Sequence, residues 1–222
     1  MTTSIPGLRH ELKFVATGMG LSEVLTFVKR HPSAFVETYP HRVVNNLYID
    51  SPDCGDYFDH VNGVANRSKT RIRWYGGPVG VIKHPTLERK LKRGAVSGKA
   101  SHRLPEFNMS VESIKTPIKK AIRDAQLPDL LRLALQCREP SLYNRYRRHY
   151  FVSADRRFRL TVDSDLNFAG VQPRFFPLPV TATVIIELKF TPENIEAAAL
   201  VTNAMPFRIT RFSKYVAGLG QL

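Results

Sequence analysis

The sequence predicts an α+β fold in which an antiparallel β-barrel forms a basic tunnel and helices pack on its outside. Three observations carry that expectation. Short strand-like segments alternate with amphipathic helical stretches along the chain. In five of the strands the charged and the apolar side chains take opposite faces. Lys and Arg number 33 against 19 Asp and Glu, a formal net charge of +14, so the usual partner is expected to be anionic.

The 222 residues suffice for one substantial core, and with no internal repeat or convincing linker they read as a single domain over 1–222. Strands are expected at 8–16, 42–50, 68–75, 85–93, 145–152, 157–165 and 181–190. Helices are expected at 21–30, 53–62, 112–124, 128–136, 192–203 and 212–219. Ser22 is the candidate cap of the first helix, and Thr191-Pro192-Glu193 reads as cap, first helical position and first-turn acid of the fifth. Gly76, Gly77, Pro78, Gly80 and Pro85 mark 76–85 as a loop, and Gly170, Pro173, Pro177 and Pro179 mark a second break over 170–179.

The strand faces are the informative feature. Lys69, Arg71 and Arg73 oppose Thr70, Ile72 and Trp74; Glu187 and Lys189 oppose Ile186, Leu188 and Phe190. Glu11 and Lys13 oppose Leu12 and Phe14, while Arg159, Thr161, Asp163 and Asp165 oppose Leu160, Val162 and Leu166. Glu88 and Lys90 oppose Leu87 and Leu91, although Arg89 joins the apolar side. One such strand is an ordinary solvated face. Five alike, with Glu-x-Lys repeated in three and Arg and Lys dominating over Ser, Thr, Asn and Gln, point to charges turned inward around a wet channel. Cations so crowded repel one another unless a polyanion joins them, and phosphate chains suit both Arg forks and Lys point charges.

Other chemistries find little support. Cys54 and Cys137 have no C-x-x-C spacing and read as free thiols in a reducing compartment. No secretory leader is evident, because Arg9, His10, Glu11 and Lys13 interrupt any early apolar run, and no stretch is long enough for a membrane-spanning helix. The sequons at Asn66 and Asn108 are therefore read as accidental, and the cytoplasm is the expected location. Gly94-Ala95-Val96-Ser97-Gly98-Lys99-Ala100 is one residue short of a P-loop and has Ala100 where Ser or Thr should meet the metal. The seven histidines lack zinc-ligand spacing. Asp163-Ser164-Asp165 reads as a capped turn after a strand. Nucleic-acid binding is the main non-enzymatic rival: Lys90-Leu91-Lys92-Arg93 and Arg145-Tyr146-Arg147-Arg148-His149-Tyr150 interleave bases with apolar and aromatic residues, but no nucleic-acid-binding signature accompanies them. Arg147 and Arg148 are expected to face outward.

Several segments, in order, resemble the triphosphate tunnel metalloenzyme superfamily. Arg9-His10-Glu11-Leu12-Lys13-Phe14 is similar to its opening E-x-K strand. Arg71-Ile72-Arg73-Trp74-Tyr75-Gly76 and Leu87-Glu88-Arg89-Lys90 resemble the next charged strands of its polyphosphate-polymerase branch, the catalytic domain of the vacuolar transporter chaperone complex. Tyr143-Asn144-Arg145-Tyr146, Arg159-Leu160-Thr161-Val162-Asp163, Ile186-Glu187-Leu188-Lys189-Phe190 and Phe212-Ser213-Lys214-Tyr215 continue the series, so the resemblance spans about 9–219. The sensing domain and membrane segment of eukaryotic homologues fall outside it. It departs at His60, where that branch commonly carries a further basic residue.

The resemblance implies an antiparallel barrel around a triphosphate and a divalent metal, and transfer of the terminal phosphoryl group of ATP to a growing polyphosphate chain. It implies that Lys13, Arg71, Arg73, Lys90, Arg159, Glu187 and Lys189 are catalytic, with Lys69, Lys99, Arg145, Arg211 and Lys214 holding substrate. Glu187 would bind the metal, with Glu11 and Glu88 as metal-positioning or charge-balancing groups, and the metal would be Mn²⁺ or Mg²⁺ held partly by substrate phosphates. Hydrolysis of tripolyphosphate or a nucleoside triphosphate on the same fold is the alternative activity, and a non-catalytic polyphosphate- or nucleic-acid-binding module the alternative class. ATP and inorganic polyphosphate are the expected partners, with peripheral membrane contact left open.

Overall fold

Period-two alternation of charged and apolar side chains gives each strand one face to bury, and amphipathic helices supply the covering layer. The computed structural model describes residues 9–93, 96–171, 176–177 and 183–222. In chain order these form β1 (His10–Ala16), α1 (Leu21–Arg30), β2 (Val36–Asp50), α2 (Gly55–Val61), β3 (Asn66–Tyr75), β4 (Gly80–Ile82), β5 (Thr86–Arg93) and β6 (Val96–Arg103). Then follow β7 (Phe107–Met109), α3 (Lys115–Asp124), α4 (Asp129–Leu135), β8 (Glu139–Val152), β9 (Arg159–Gly170), β10 (Phe176–Pro177) and β11 (Val184–Phe190). A 3₁₀ turn at Pro192–Asn194 leads into α5 (Ile195–Asn203), and α6 (Lys214–Leu219) ends the series. The hydrogen-bonded strand order is β1-β11-β9-β8-β2-β3-β5-β6, with β10 on β9 and a separate β4-β7 pair. The fold is α+β with a large antiparallel sheet, as the sequence predicts.

The chain forms two compact units, one comprising Met1–Val43, Tyr146–Leu166 and Val180–Phe212, the other Val44–Arg145, Asn167–Pro179 and Ser213–Leu222. In the first, β1 pairs antiparallel with β11, and β11 with the start of β9. Phe14, Leu160, Val162, Ile186 and Leu188 pack on Val24 and Val28 of α1 and Ala198 and Val201 of α5. In the second, β3 pairs antiparallel with the later part of β2 and with β5, and β5 with β6. There Leu47, Ile72, Trp74 and Leu87 pack on Ile118 and Ala121 of α3 and Leu131 and Leu135 of α4. Each fully buried Leu or Ile contributes roughly 1.5–3 kcal/mol, so these apolar faces fix which side the helices cover. The alternate positions, which carry the charges, lie on the sheet face turned away from those helices.

Several boundaries differ from the sequence expectation. The first turn of α1 is closed by Gly20, whose N–H donates to Glu23 Oε2 at 2.7 Å, and not by Ser22. Thr191 and Pro192 do begin a helical segment, but its first turn is 3₁₀. Asp163-Ser164-Asp165 is no turn: β9 runs through it to Gly170, with Asp165 in the left-handed region at φ 54°. The expected 76–85 loop contains β4. Much of the expected 170–179 break, Gly94-Ala95 of the P-loop-like stretch, and positions 181–182 of the last expected strand lie outside the described residues. Cys54 and Cys137 are free thiols. Among the described residues, no helix is long and apolar enough to cross a membrane.

Candidate functional site

In the second unit the charges centre on Glu88. Arg71 sits directly across β3-β5 from Glu88, and Ser101 lies across β5-β6 on the other side. Arg71 donates to Glu88 Oε2 from Nε at 2.9 Å and from Nη2 at 2.7 Å. Arg73 Nη1 and Lys99 Nζ both donate to Oε1, at 3.4 and 3.0 Å. Glu88 is 6% exposed. Burial pushes its carboxyl up, but Arg71, Arg73 and Lys99 together outweigh that and hold it at about 2. The next rung is Lys69, Lys90 and Lys99, directly opposed across three strands. Facing like charges destabilise a sheet, so such a row is suited to an anion lying across it.

Uncharged groups extend this cluster. Arg73 Nε donates to Asn46 Oδ1 at 3.2 Å, and Asn46 Nδ2 to Asn144 Oδ1 at 2.9 Å. Both asparagines are fully buried, and Asn144 Nδ2 has no partner among the described residues. Arg145 follows it, half-buried, and its charge opposes the rise that burial imposes on the Tyr143 hydroxyl. His60 donates from Nδ1 to the Asp56 carbonyl at 2.7 Å. Burial, then the nearby Lys69, pull it down to about 4, so it is neutral at pH 7 and adds no cation.

The Ser213-Lys214-Tyr215 segment shows how one motif performs three tasks. Ser213 Oγ accepts from Val216 N at the start of α6 and also from Lys69 Nζ at 3.0 Å. Tyr215 donates a short hydrogen bond to Asp50 Oδ2 and stacks on Tyr48. Asp50 in turn accepts from the backbone N–H groups of Asp56 and Tyr57, and Arg138 makes a two-pronged pair with Asp56 at 2.5 and 3.1 Å. Burial and then Asp50 raise the Tyr215 hydroxyl far above its usual range, so it stays a donor. This buried network fixes the α6 N-terminus, and with it the backbone carrying Lys214.

In the first unit the charges centre on Glu187, which is 7% exposed. Glu11, Lys189 and Arg159 form one rung across β1-β11-β9, and Lys13, Glu187 and Thr161 the next. Lys13 Nζ lies 3.1 Å from Glu11 Oε1 and 3.8 Å from Glu187 Oε2, and donates to the Phe212 carbonyl at 2.9 Å. Lys189 makes a close ion pair with Glu187 Oε1. The segment bearing Arg211 is tied to β1 by a bridge between Phe14 and Ile209 and by Thr210 N donating to the Lys13 carbonyl at 2.7 Å; Arg211 itself is exposed. Arg148, expected to face outward, instead grips fully buried Asp163 at 2.6 and 2.7 Å. Burial lowers the Arg148 guanidinium, but Asp163 prevails and keeps it charged. Arg147 is exposed and lies 3.3 Å from Asp165.

The oxygen donors beside Glu187 fit a hard divalent cation. Thr161 Oγ1, on the same rung, is buried without a hydrogen-bond partner among the described residues. Among those residues no three His, Cys, Asp or Glu side chains gather as a metal-binding group, so an ion here would rely on one or two carboxylates, with phosphate oxygens and water completing its shell, as Mg²⁺ sites do. Glu88 fits a metal less well, because its two oxygens already accept four hydrogen bonds from Arg71, Arg73 and Lys99. Sequence reasoning missed Asn46, Asn144, Asp50, Asp56, Arg138 and the Arg148–Asp163 pair. Asn144 and Asp163 did carry a signal, being inside the Tyr143-Asn144-Arg145-Tyr146 and Arg159-Leu160-Thr161-Val162-Asp163 motifs.

Antiparallel strands thus carry buried carboxylates ringed by cations on the faces turned away from α1 and α5 in one unit and from α3 and α4 in the other. The solved structure of a candidate adenylate cyclase from Vibrio parahaemolyticus is similar, with a TM-score of 0.53, 14% identity, and coverage of 95% of this chain and 97% of that one. A candidate adenylyl cyclase from Hippeastrum, described as having a dominant triphosphatase activity, gives a TM-score of 0.47 at 14% identity, covering 97% of this chain and 96% of that one. No curated protein matches the sequence. The model of the VTC domain matches residues 8–222, and the chain belongs to that family.

Proposed function

We propose that the chain is a metal-dependent phosphotransferase that moves the terminal phosphoryl group of ATP onto inorganic polyphosphate. The observation that carries this reading is the placing of two buried carboxylates, Glu88 and Glu187, each among strand-borne cations. Membership of the VTC-domain family supports it. In this reading Lys13, Arg71, Arg73, Lys90, Arg159 and Lys189 hold phosphoryl oxygens, and Lys69, Lys99, Arg145, Arg211 and Lys214 hold the rest of the substrates. Glu187 and Glu11 hold the divalent ion. Glu88, bonded through both oxygens, balances charge and aims Arg71 and Arg73.

The reaction needs position and charge more than covalent chemistry. A terminal oxygen of the acceptor chain bonds to the γ-phosphorus of ATP, the bridging P–O bond to the β-phosphate breaks, and ADP leaves. Prealigned Arg and Lys donors stabilise charge spread over the nonbridging oxygens. The bound Mn²⁺ or Mg²⁺ supplies further neutralisation of that charge. An ionised phosphate acceptor brings no proton to remove, whereas water needs a base. Free thiols and ATP as donor fit a cytoplasmic setting.

Incubation with ATP and Mn²⁺ followed by gel electrophoresis tests this. A ladder of long chains, abolished by Glu187→Ala while polyphosphate binding persists, is expected. Orthophosphate release from tripolyphosphate without chains would make the protein a hydrolase. Polyphosphate binding with no turnover of either substrate would make it a binding module.

A further inference from the structure

A cleft of about 260 Å³ opens where β1 and β9 begin and β11 ends, lined by Arg9, Arg156, Arg157, Arg159, Lys189 and Asn194 among others. Five of these side chains are cations, and Arg159 and Lys189 belong to the Glu11–Lys189–Arg159 rung already described. Arg156 and Arg157 come from the turn joining β8 to β9. That turn is firmly built: Ser153 N donates to the Phe158 carbonyl at 3.0 Å and Arg156 N to the Ser153 carbonyl at 2.8 Å. Asp155 Oδ1 accepts from Ser153 Oγ at 2.6 Å and from Arg157 N at 3.1 Å. The turn holds Arg156 at φ 61°, a left-handed conformation that a non-glycine residue adopts at a cost, so an unstrained residue would suit the fold alone better.

Charge pairing inside the cleft is incomplete. Arg157 Nε is bonded by Asp155 at 2.6 Å and Lys189 by Glu187, but among the described residues the Arg9, Arg156 and Arg159 guanidinium groups make no hydrogen bond or ion pair. Guanidinium forks gathered at the open end of a rung of charged strands are suited to the successive phosphoryl groups of a linear polyanion. We propose that this cleft binds phosphoryl groups of polyphosphate beyond those at the reacting centre, so that chains longer than a triphosphate are preferred. The inference rests on the phosphate-binding reading of the Glu187 face and adds Arg9, Arg156 and Arg157 to it.

The test is a calorimetric titration of the intact protein with tripolyphosphate, long-chain polyphosphate and ATP at one ionic strength. Wild type is expected to bind the long chain more tightly per molecule than tripolyphosphate. Arg156→Gly, which also relieves the left-handed strain and so keeps the fold, lowers the ratio of long-chain to tripolyphosphate affinity about fivefold, and Arg156→Glu lowers it further. An unchanged ratio in both variants overturns the inference while leaving the proposed activity standing. A ratio that holds while ATP alone weakens also overturns it, since the cleft then takes a nucleoside. Failure of wild type to bind any of the three overturns the phosphate-binding reading itself.

Discussion

Replacing Glu88 by Gln keeps the side chain's shape and removes the charge that Arg71, Arg73 and Lys99 share. A carboxyl lowered from 4.5 to about 2 favours its ionised form by about 3 kcal/mol. Glu88 is 6% exposed, so little of that is lost to solvent screening. For a chain of 222 residues a loss of that size lowers the melting temperature by about 6–12 °C. Differential scanning calorimetry of both proteins at pH 7 reads the effect directly. Because the folded carboxyl titrates below its unfolded value, the contribution is complete above the ordinary value of 4.5 and fades as pH falls towards about 2. The wild type should therefore converge on Glu88→Gln over that acid window. Tripolyphosphate should raise the melting temperature of the variant more than that of the wild type, since the ligand replaces the missing negative charge. A drop below about 2 °C, or no extra gain from tripolyphosphate, would refute the reasoning.

Two further outcomes follow from buried groups outside the proposed reacting centre. Asp163→Asn strands the Arg148 guanidinium and should cost about 3–5 kcal/mol in urea unfolding, whereas Asp165→Asn, at the exposed Arg147 pair, should cost under about 1 kcal/mol. His60 is held at about 4 when folded but titrates near 6.5 when unfolded, so its effect on stability is nil above pH 6.5 and grows as pH falls towards 4. His60→Asn should remove up to about 3 kcal/mol of that acid loss, read as the difference between wild type and variant in urea midpoints at pH 7 and pH 4.5.

The strands that carry both a charged and an apolar face were legible because period-two alternation is a local property. Spacing along the chain is therefore enough to assign Lys69, Arg71, Arg73, Glu88, Glu187 and Lys189 to their faces. β6 was not legible, because Val-Ser-Gly-Lys-Ala-Ser-His-Arg has no apolar period, and its strand depends on pairing with β5. The first half of β2 was missed for a similar reason, being exposed throughout and carrying Pro40. Asp163 looked like a turn residue because acids favour turns. Its partner Arg148, 15 positions away in sequence, supplies the charge that lets it stay buried in a strand. The same non-locality hid Asn46 with Asn144 and Asp56 with Arg138, pairs set by strand register and loop packing.

The proposed chemistry depends above all on strand-borne cations holding phosphate. Titrating tripolyphosphate into Arg71→Ala/Arg73→Ala beside the wild type, with circular dichroism to verify the fold, measures this most directly. Two lost charge-assisted contacts should weaken binding at least about a hundredfold. Wild-type affinity in that double variant would contradict the claim.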